Sequence, residues 1–260
     1  MCRWGSWLRQ ICALSFGWCA SVAAFASPPA HILSLDLCSD WLLAYYAHAD
    51  QSVTLSPLVQ RHPLPVAVIP RPSHDGSLEH VVALKPDVVL VGEFNAFMLR
   101  KRLESLGVRV FSTPLPQTLD DLVVLDRSIQ TLLGHSPVMD SFKPRKLTSL
   151  AKPHGRLLLL GPNGYGVGRN TLEDNLITQA GWVNYTEHAG HVRLDLEAVV
   201  SNPPDAIVWS APRYAALAHT FAQHPVLKRA VPPQRWIQTD DWRWQCPGPW
   251  MYQLIEQLQP

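Results

Sequence analysis

The sequence predicts two α/β lobes joined by a helical connector, and three observations carry that prediction. Asp87-Val88-Val89-Leu90-Val91 and Arg156-Leu157-Leu158-Leu159-Leu160 are short apolar runs of the kind buried on both faces of a parallel sheet. Strand-like runs alternate with amphipathic stretches that close at glycine, as at Gly107 and Gly181. The chain also echoes itself: Ser77-Leu78-Glu79-His80-Val81-Val82-Ala83-Leu84-Lys85-Pro86-Asp87 lies over Asp195-Leu196-Glu197-Ala198-Val199-Val200-Ser201-Asn202-Pro203-Pro204-Asp205. Each copy reads as a short helix capped by Ser77 or Asp195, stopped before a proline, then a buried strand. A helix–Pro-Asp–strand connection is common in α/β chains, but two similar lobes about a pseudo-twofold axis explain the length of the match better.

The elements follow in order. Residues 1–26 read as a signal peptide: Arg3 and Arg9 give a positive start, Ile11 to Phe25 is apolar, and Ala24-Phe25-Ala26 is a small-x-small cleavage pattern. The apolar run, about 15 residues, is short of the ~20 that span a bilayer. Cys12 and Cys19 follow Ile11 and Trp18, not the small residue that lipid attachment needs. A first lobe, 27–116, opens with a strand at His31 to Leu35 and a helix over Ser39 to His48. It continues through the strand at Asp87 to Val91, a helix over Phe97 to Leu106, and a strand at Val108 to Phe111. The connector, 117–151, holds a helix over Thr118 to Leu133, with Asp120 and Asp121 in its first turn, and a second candidate helix over Pro137 to Leu150. The second lobe, 152–260, has a strand at Arg156 to Leu160, a helix over Thr171 to Ala180, and strands at Ala206 to Trp209 and Trp236 to Gln238.

Composition narrows the function. The 260 residues are 47% hydrophobic and 17% charged, which excludes a disordered chain. The formal charge is +1 and the longest basic block is Arg100-Lys101-Arg102, too little positive field for nucleic acid as the main partner. Loss of the signal segment leaves 20 basic against 21 acidic residues and reduces five cysteines to Cys38 and Cys246. Twenty-three prolines and ten tryptophans imply stiff loops and several large rings to house.

The opening strand Ile32-Leu33-Ser34-Leu35, the block Leu78 to Asp87, Leu106-Gly107-Val108, and Thr171 to Gly181 resemble the periplasmic substrate-binding proteins of ABC importers for corrinoids and iron chelates. That resemblance implies two Rossmann-like lobes joined by one long helix, the class III binding-protein type, with the ligand in a shallow cleft between them. It implies a soluble, monomeric periplasmic protein without a cofactor of its own, which captures a metal chelate and hands it to an inner-membrane permease dimer. A corrinoid is the first expectation, and a ferric siderophore or haem the alternative. It also implies that a glutamate on each lobe docks on the permease, and the matching positions are Glu79 and Glu197. Pro144 departs from the pattern, because an interior proline costs roughly 3 kcal/mol in a straight helix and would kink or split the connector.

Ligand sites in α/β sheets sit at the carboxyl ends of strands. That rule singles out Cys38 and Asp40 after the first strand, Arg71 and His74 before the repeated block, and Glu93, Phe94 and Asn95 after Val91. In the second lobe it singles out Asn163, Tyr165, Trp209, Arg213, Tyr214, Trp242 and Trp244. Any one of these is an ordinary loop residue on its own; the recurrence of rings and charges at strand ends is the signal. Trp242 and Trp244 suit a flat macrocycle, although the two indoles could equally cover each other. Cys38 and Cys246 fit a disulfide clamping the lobes if their Cα atoms come within about 7 Å. The other reading is a thiolate touching the ligand's metal, with His31, His74 and Asp40 nearby in sequence, although no pair has the spacing of a metal motif.

An enzyme is the rival class. Gly164 to Gly168 lacks the Gly-Lys-Ser/Thr of a phosphate loop, and no Gly-x-Ser-x-Gly or HExxH motif occurs. What remains is an exported Cys/His hydrolase built on Cys38 or Cys246, which requires a free, low-pKa thiol.

Overall fold

The computed structural model describes residues 28–135, 153–211 and 217–259. The first sheet is formed by β1 (His31–Ser34), β2 (Ser52–Thr54), β3 (Val88–Gly92) and β4 (Val110–Thr113), all parallel, in the order β2-β1-β3-β4. Helices α1 (Leu37–Tyr46), α2 (Leu78–Ala83) and α3 (Phe97–Ser105) cross between these strands, and α4 (Leu119–Leu132) leaves the lobe. The second sheet comprises β5 (Arg156–Leu160), β6 (Tyr165–Val167), β7 (Val183–Asn184), β8 (His191–Arg193), β9 (Ala206–Trp209) and β10 (Trp236–Ile237). Its order is β10-β9-β5-β6-β8, with β7 also paired to β5 and with β6 antiparallel to both neighbours. Helices α5 (Leu172–Gln179), α6 (Leu196–Ser201), α7 (Pro225–Ala230) and α8 (Tyr252–Gln257) complete it.

The two sheets share a plan. In each, the lobe's first strand lies between a short strand and the strand of the repeated block, and one more parallel strand follows beyond. The repeat has a physical cause at its Pro-Asp step. Asp87 Oδ2 accepts from the backbone N–H groups of Ala30 and His31, both at 2.8 Å, and the Asp87 N–H donates to the His31 carbonyl. Asp205 does the same in the second lobe, accepting from Arg156 N–H at 2.7 Å and donating to the Arg156 carbonyl. Each aspartate thus ties the start of one strand to the start of its neighbour.

Strand alternation divides the interior into three layers. Leu33, Val89 and Val91 face α2 and α3 in an outer layer of the first lobe. Leu158, Leu160, Ile207 and Trp209 form the matching outer layer of the second. The opposite faces, Ile32, Val88 and Leu90 with Leu157, Leu159 and Val208, belong to one continuous core shared by the lobes and filled by α1, α4, α5 and α8.

Several boundaries differ from the sequence reading, and two of them show the physical reason. Helix α1 starts at Leu37 because the Asp36 carboxylate caps it, accepting from Cys38 and Ser39 N–H. Strand β4 starts at Val110 because Gly107, at φ 79°, turns the chain and Val108 is spent closing α3. The helix over 119–132 has a capping box between Thr118 and Asp121. The signal segment, the candidate helix over Pro137 to Leu150 with Pro144, and Arg213 and Tyr214 lie outside the described residues.

Candidate functional site

The carboxyl edge of the first sheet is fixed by buried polar groups. Asp36 Oδ2 accepts from Gly92 N–H at 2.7 Å and from the Ser39 hydroxyl, holding the ends of β1 and β3 against α1. Asp40 accepts from the Ser34 hydroxyl, from Ser56 N–H and from the Ser56 hydroxyl. It is fully buried, and burial outweighs those hydrogen bonds and pushes its carboxyl up to about 6. His74 accepts from Gly76 N–H through Nδ1, so its Nε2–H donates to the Ser34 carbonyl at 2.8 Å; burial lowers its pKa.

Those bonds correct several expected roles. Asp40 and His74 are structural ties without a surface to offer a ligand. Arg71 donates to the carbonyls of Gln51 at 2.6 Å, His48 at 2.6 Å and Ala47 at 3.3 Å. Those carbonyls precede β2, so the guanidinium secures the amino edge of the sheet, away from the cleft. His31 is paired with Thr54 Oγ1, and among the described residues no three His, Cys, Asp or Glu side chains group to hold a metal.

The predicted rings also move. Trp209 is buried in the outer layer of the second lobe. Trp244 is buried and donates from Nε1 to Thr239 Oγ1 at 2.9 Å. Trp242 is half-buried, edge-on to Trp41 at 5.9 Å, with the Arg243 guanidinium 4.4 Å from its ring centre. Trp242 is therefore covered by Trp41 and Trp250, because the segment that carries it packs across onto α1.

Cys38 and Cys246 form a disulfide, with Cα atoms 5.1 Å apart across 208 residues of sequence. It joins the first turn of α1 to the segment that follows β10, and so ties one lobe's carboxyl edge to the other lobe. One and two helical turns further on, Trp41 and Tyr45 pack edge-on against Trp250, at 5.7 and 5.9 Å. No thiolate is left at either cysteine, which overturns both the Cys/His hydrolase and the metal-touching thiolate.

Beside the exposed Asn95 and Asn163, the carboxyl edges present several large apolar side chains to solvent. On the first lobe, Phe94 is 77% exposed, Phe97 55% and Met98 78%, with Leu115 also exposed and Glu93 half-buried beside them. Glu93 Oε1 accepts from Leu115 N–H at 3.4 Å. On the second lobe Tyr165, at the start of β6, and Leu217 are exposed. Of these the strand-end rule selected Glu93, Phe94 and Tyr165. It missed Phe97, Met98, Leu115 and Leu217, although Phe-Met opening a helix directly after Phe94 was a readable signal.

Neither a scan of family models nor a search of curated proteins finds a match to the chain. Solved structures do match. A periplasmic haem-binding protein from Pseudomonas aeruginosa superposes with TM-score 0.67 at 23% identity, covering 88% of this chain and 91% of that one. The periplasmic haem-binding protein BhuT, in complex with two haems, gives 0.69 at 17% over 89% and 98%. The periplasmic vitamin B12-binding protein BtuF of Vibrio cholerae gives 0.61 at 18% over 89% and 95%. The fold is that of the class III periplasmic binding proteins. Its relatives by fold are binding proteins rather than enzymes. Among the described residues no helix is long and apolar enough to cross a membrane.

Proposed function

We propose that this chain is the periplasmic solute-binding component of an ABC importer, exported through a cleaved signal peptide, and that it captures a metal chelate between its lobes. A corrinoid is the ligand the sequence resemblance favours, and haem or a ferric siderophore is the alternative. The observation that carries the reading is the cluster of exposed apolar side chains at the carboxyl edge of the sheets, Phe94, Phe97, Met98 and Leu115 facing solvent where this fold places its cleft. Aromatic and thioether groups suit the broad faces of a macrocycle. On this reading the protein is a monomer without catalytic activity. The test is direct: the purified protein titrated with cobalamin, haemin and ferric chelates changes the ligand's absorbance and quenches tryptophan emission for at least one of them. No change with any of the three sinks the proposal.

Delivery is proposed to run through Glu79 and Glu197. Both are exposed, and both lie in the first turn of the repeated helices α2 and α6. A carboxylate there also supports its own helix, by about 0.3–1 kcal/mol, which would explain either residue alone. Equivalent acids on two similar lobes suit a symmetric pair of permease subunits with forked arginine partners. Glu79→Ala and Glu197→Ala are expected to keep ligand affinity and to weaken uptake, the double variant most. Normal uptake by the double variant at wild-type abundance would exclude this docking.

A further inference from the structure

The β3–α3 turn carries more than a general apolar surface. Phe94, Phe97 and Met98 present three large side chains to solvent within five residues. The chain reaches this position through Ala96, which has φ 44° although it is not glycine, and α3 starts there without a side-chain cap. A left-handed alanine is a strained choice. It persists here in a turn that puts Phe97 and Met98 at the rim.

Directly behind the rim stands the longest basic block of the sequence, Arg100-Lys101-Arg102. The Arg100 guanidinium lies 5.6 Å from the Phe97 ring centre and the Lys101 ammonium 6.0 Å from it. Arg100 is held in place, donating from Nη1 to the Glu93 carbonyl at 2.9 Å and to Ser112 Oγ at 3.1 Å. Lys101 shares its charge with Glu104 at 3.6 Å, in an exposed pair of the kind that holds weakly and yields readily to another anion.

We propose that Phe94, Phe97 and Met98 grip the flat face of the ligand and that Arg100 and Lys101 select a chelate bearing free carboxylates along its edge. This rests on the chelate-binding reading above and narrows it. A macrocycle stacked on Phe97 extends beyond the benzyl ring on every side, so its edge falls over the two cations. Carboxylates there gain charge-assisted hydrogen bonds, whereas the neutral carboxamide edge of a corrinoid gains much less.

The experiment compares haemin, haemin dimethyl ester and cyanocobalamin by absorbance titration on the intact protein. Haemin is expected to bind at least 10-fold more tightly than its ester, with the gap narrowing at high salt and in Lys101→Gln. Phe97→Ser with Met98→Ser is expected to weaken haemin and its ester alike by 10- to 100-fold with an unchanged melting temperature, because both side chains are exposed. Equal affinity for haemin and its ester, or preference for cyanocobalamin over haemin, overturns the edge selection while leaving chelate capture standing. Unchanged affinity in the Phe97/Met98 double variant overturns the grip. Binding of none of the three probes, nor of a ferric siderophore, removes the underlying reading as well.

Discussion

Asp126 on α4 is a carboxyl group enclosed in the core between the lobes. It is almost wholly buried, and neither carboxylate oxygen makes a hydrogen bond among the described residues. Burial pushes its pKa up to about 7, against the opposing influence of the nearby Tyr46 hydroxyl. A raised native pKa means that the folded protein holds a proton that the unfolded chain releases above about pH 4. The contribution of Asp126 to stability is therefore intact at acid pH, falls as pH rises towards 7, and stays low beyond. Asp126→Asn keeps the neutral shape at every pH. It is expected to match the wild type near pH 4 and to exceed it by on the order of 2 kcal/mol at pH 8, read by urea denaturation across that range. A constant difference between the two proteins at all pH values would show that Asp126 does not titrate in this window. Asp40, pushed up to about 6, has hydrogen bonds from Ser34 and Ser56 that an amide cannot all accept, so Asp40→Asn is not expected to stabilise in the same way.

At the scale of elements, the repeated helix–Pro-Asp–strand unit shows why so much of the fold was legible. Asp87 and Asp205 each occupy the backbone donors at the start of their lobe's first strand, so a short sequence pattern records a contact between distant segments. Asp87→Ala and Asp205→Ala are each expected to cost about 1 kcal/mol and to speed amide exchange at the first residue of β1 and β5 respectively, each in its own lobe only. Exchange that rose equally in both lobes would contradict this local role. Caps were legible for the same reason, since Ser77, Thr118, Thr171 and Asp195 bond to amides two or three residues away. The short strands β6, β7 and β8 were not, because two or three residues carry no periodicity and their pairing depends on β5. The site was less legible than the fold. Arg71 follows the strand-end rule in sequence, yet its side chain reaches back to carbonyls at the opposite edge. Trp242 and Trp244 looked exposed because the sequence does not reveal that their segment crosses to α1.

For the whole molecule, the question is what sets the distance between the lobes. The shared core joins β1 and β3 to β5 and β9 through α1, α4, α5 and α8, and the Cys38–Cys246 disulfide closes a second, covalent connection at the carboxyl edge. Chain separation alone makes that disulfide consequential, since a loop of 208 residues loses much conformational entropy in the unfolded chain when closed. Cys38→Ala with Cys246→Ala is therefore expected to lower stability by about 2–4 kcal/mol. The more specific effect concerns the cleft. The disulfide holds the first turn of α1 against the segment that carries Trp242 and Trp250, so without it that face can separate while both sheets remain folded. Amide exchange should then rise around Leu37 to Trp41 and Trp242 to Met251 and remain low in β3 and β9. A cleft that is no longer held in its binding geometry must be ordered by the ligand, which appears as several-fold faster dissociation. The same change on adding dithiothreitol to the wild type, and its absence in the variant, would assign the effect to the disulfide itself. Unaltered ligand dissociation in the double variant would mean that the shared core alone fixes the lobes.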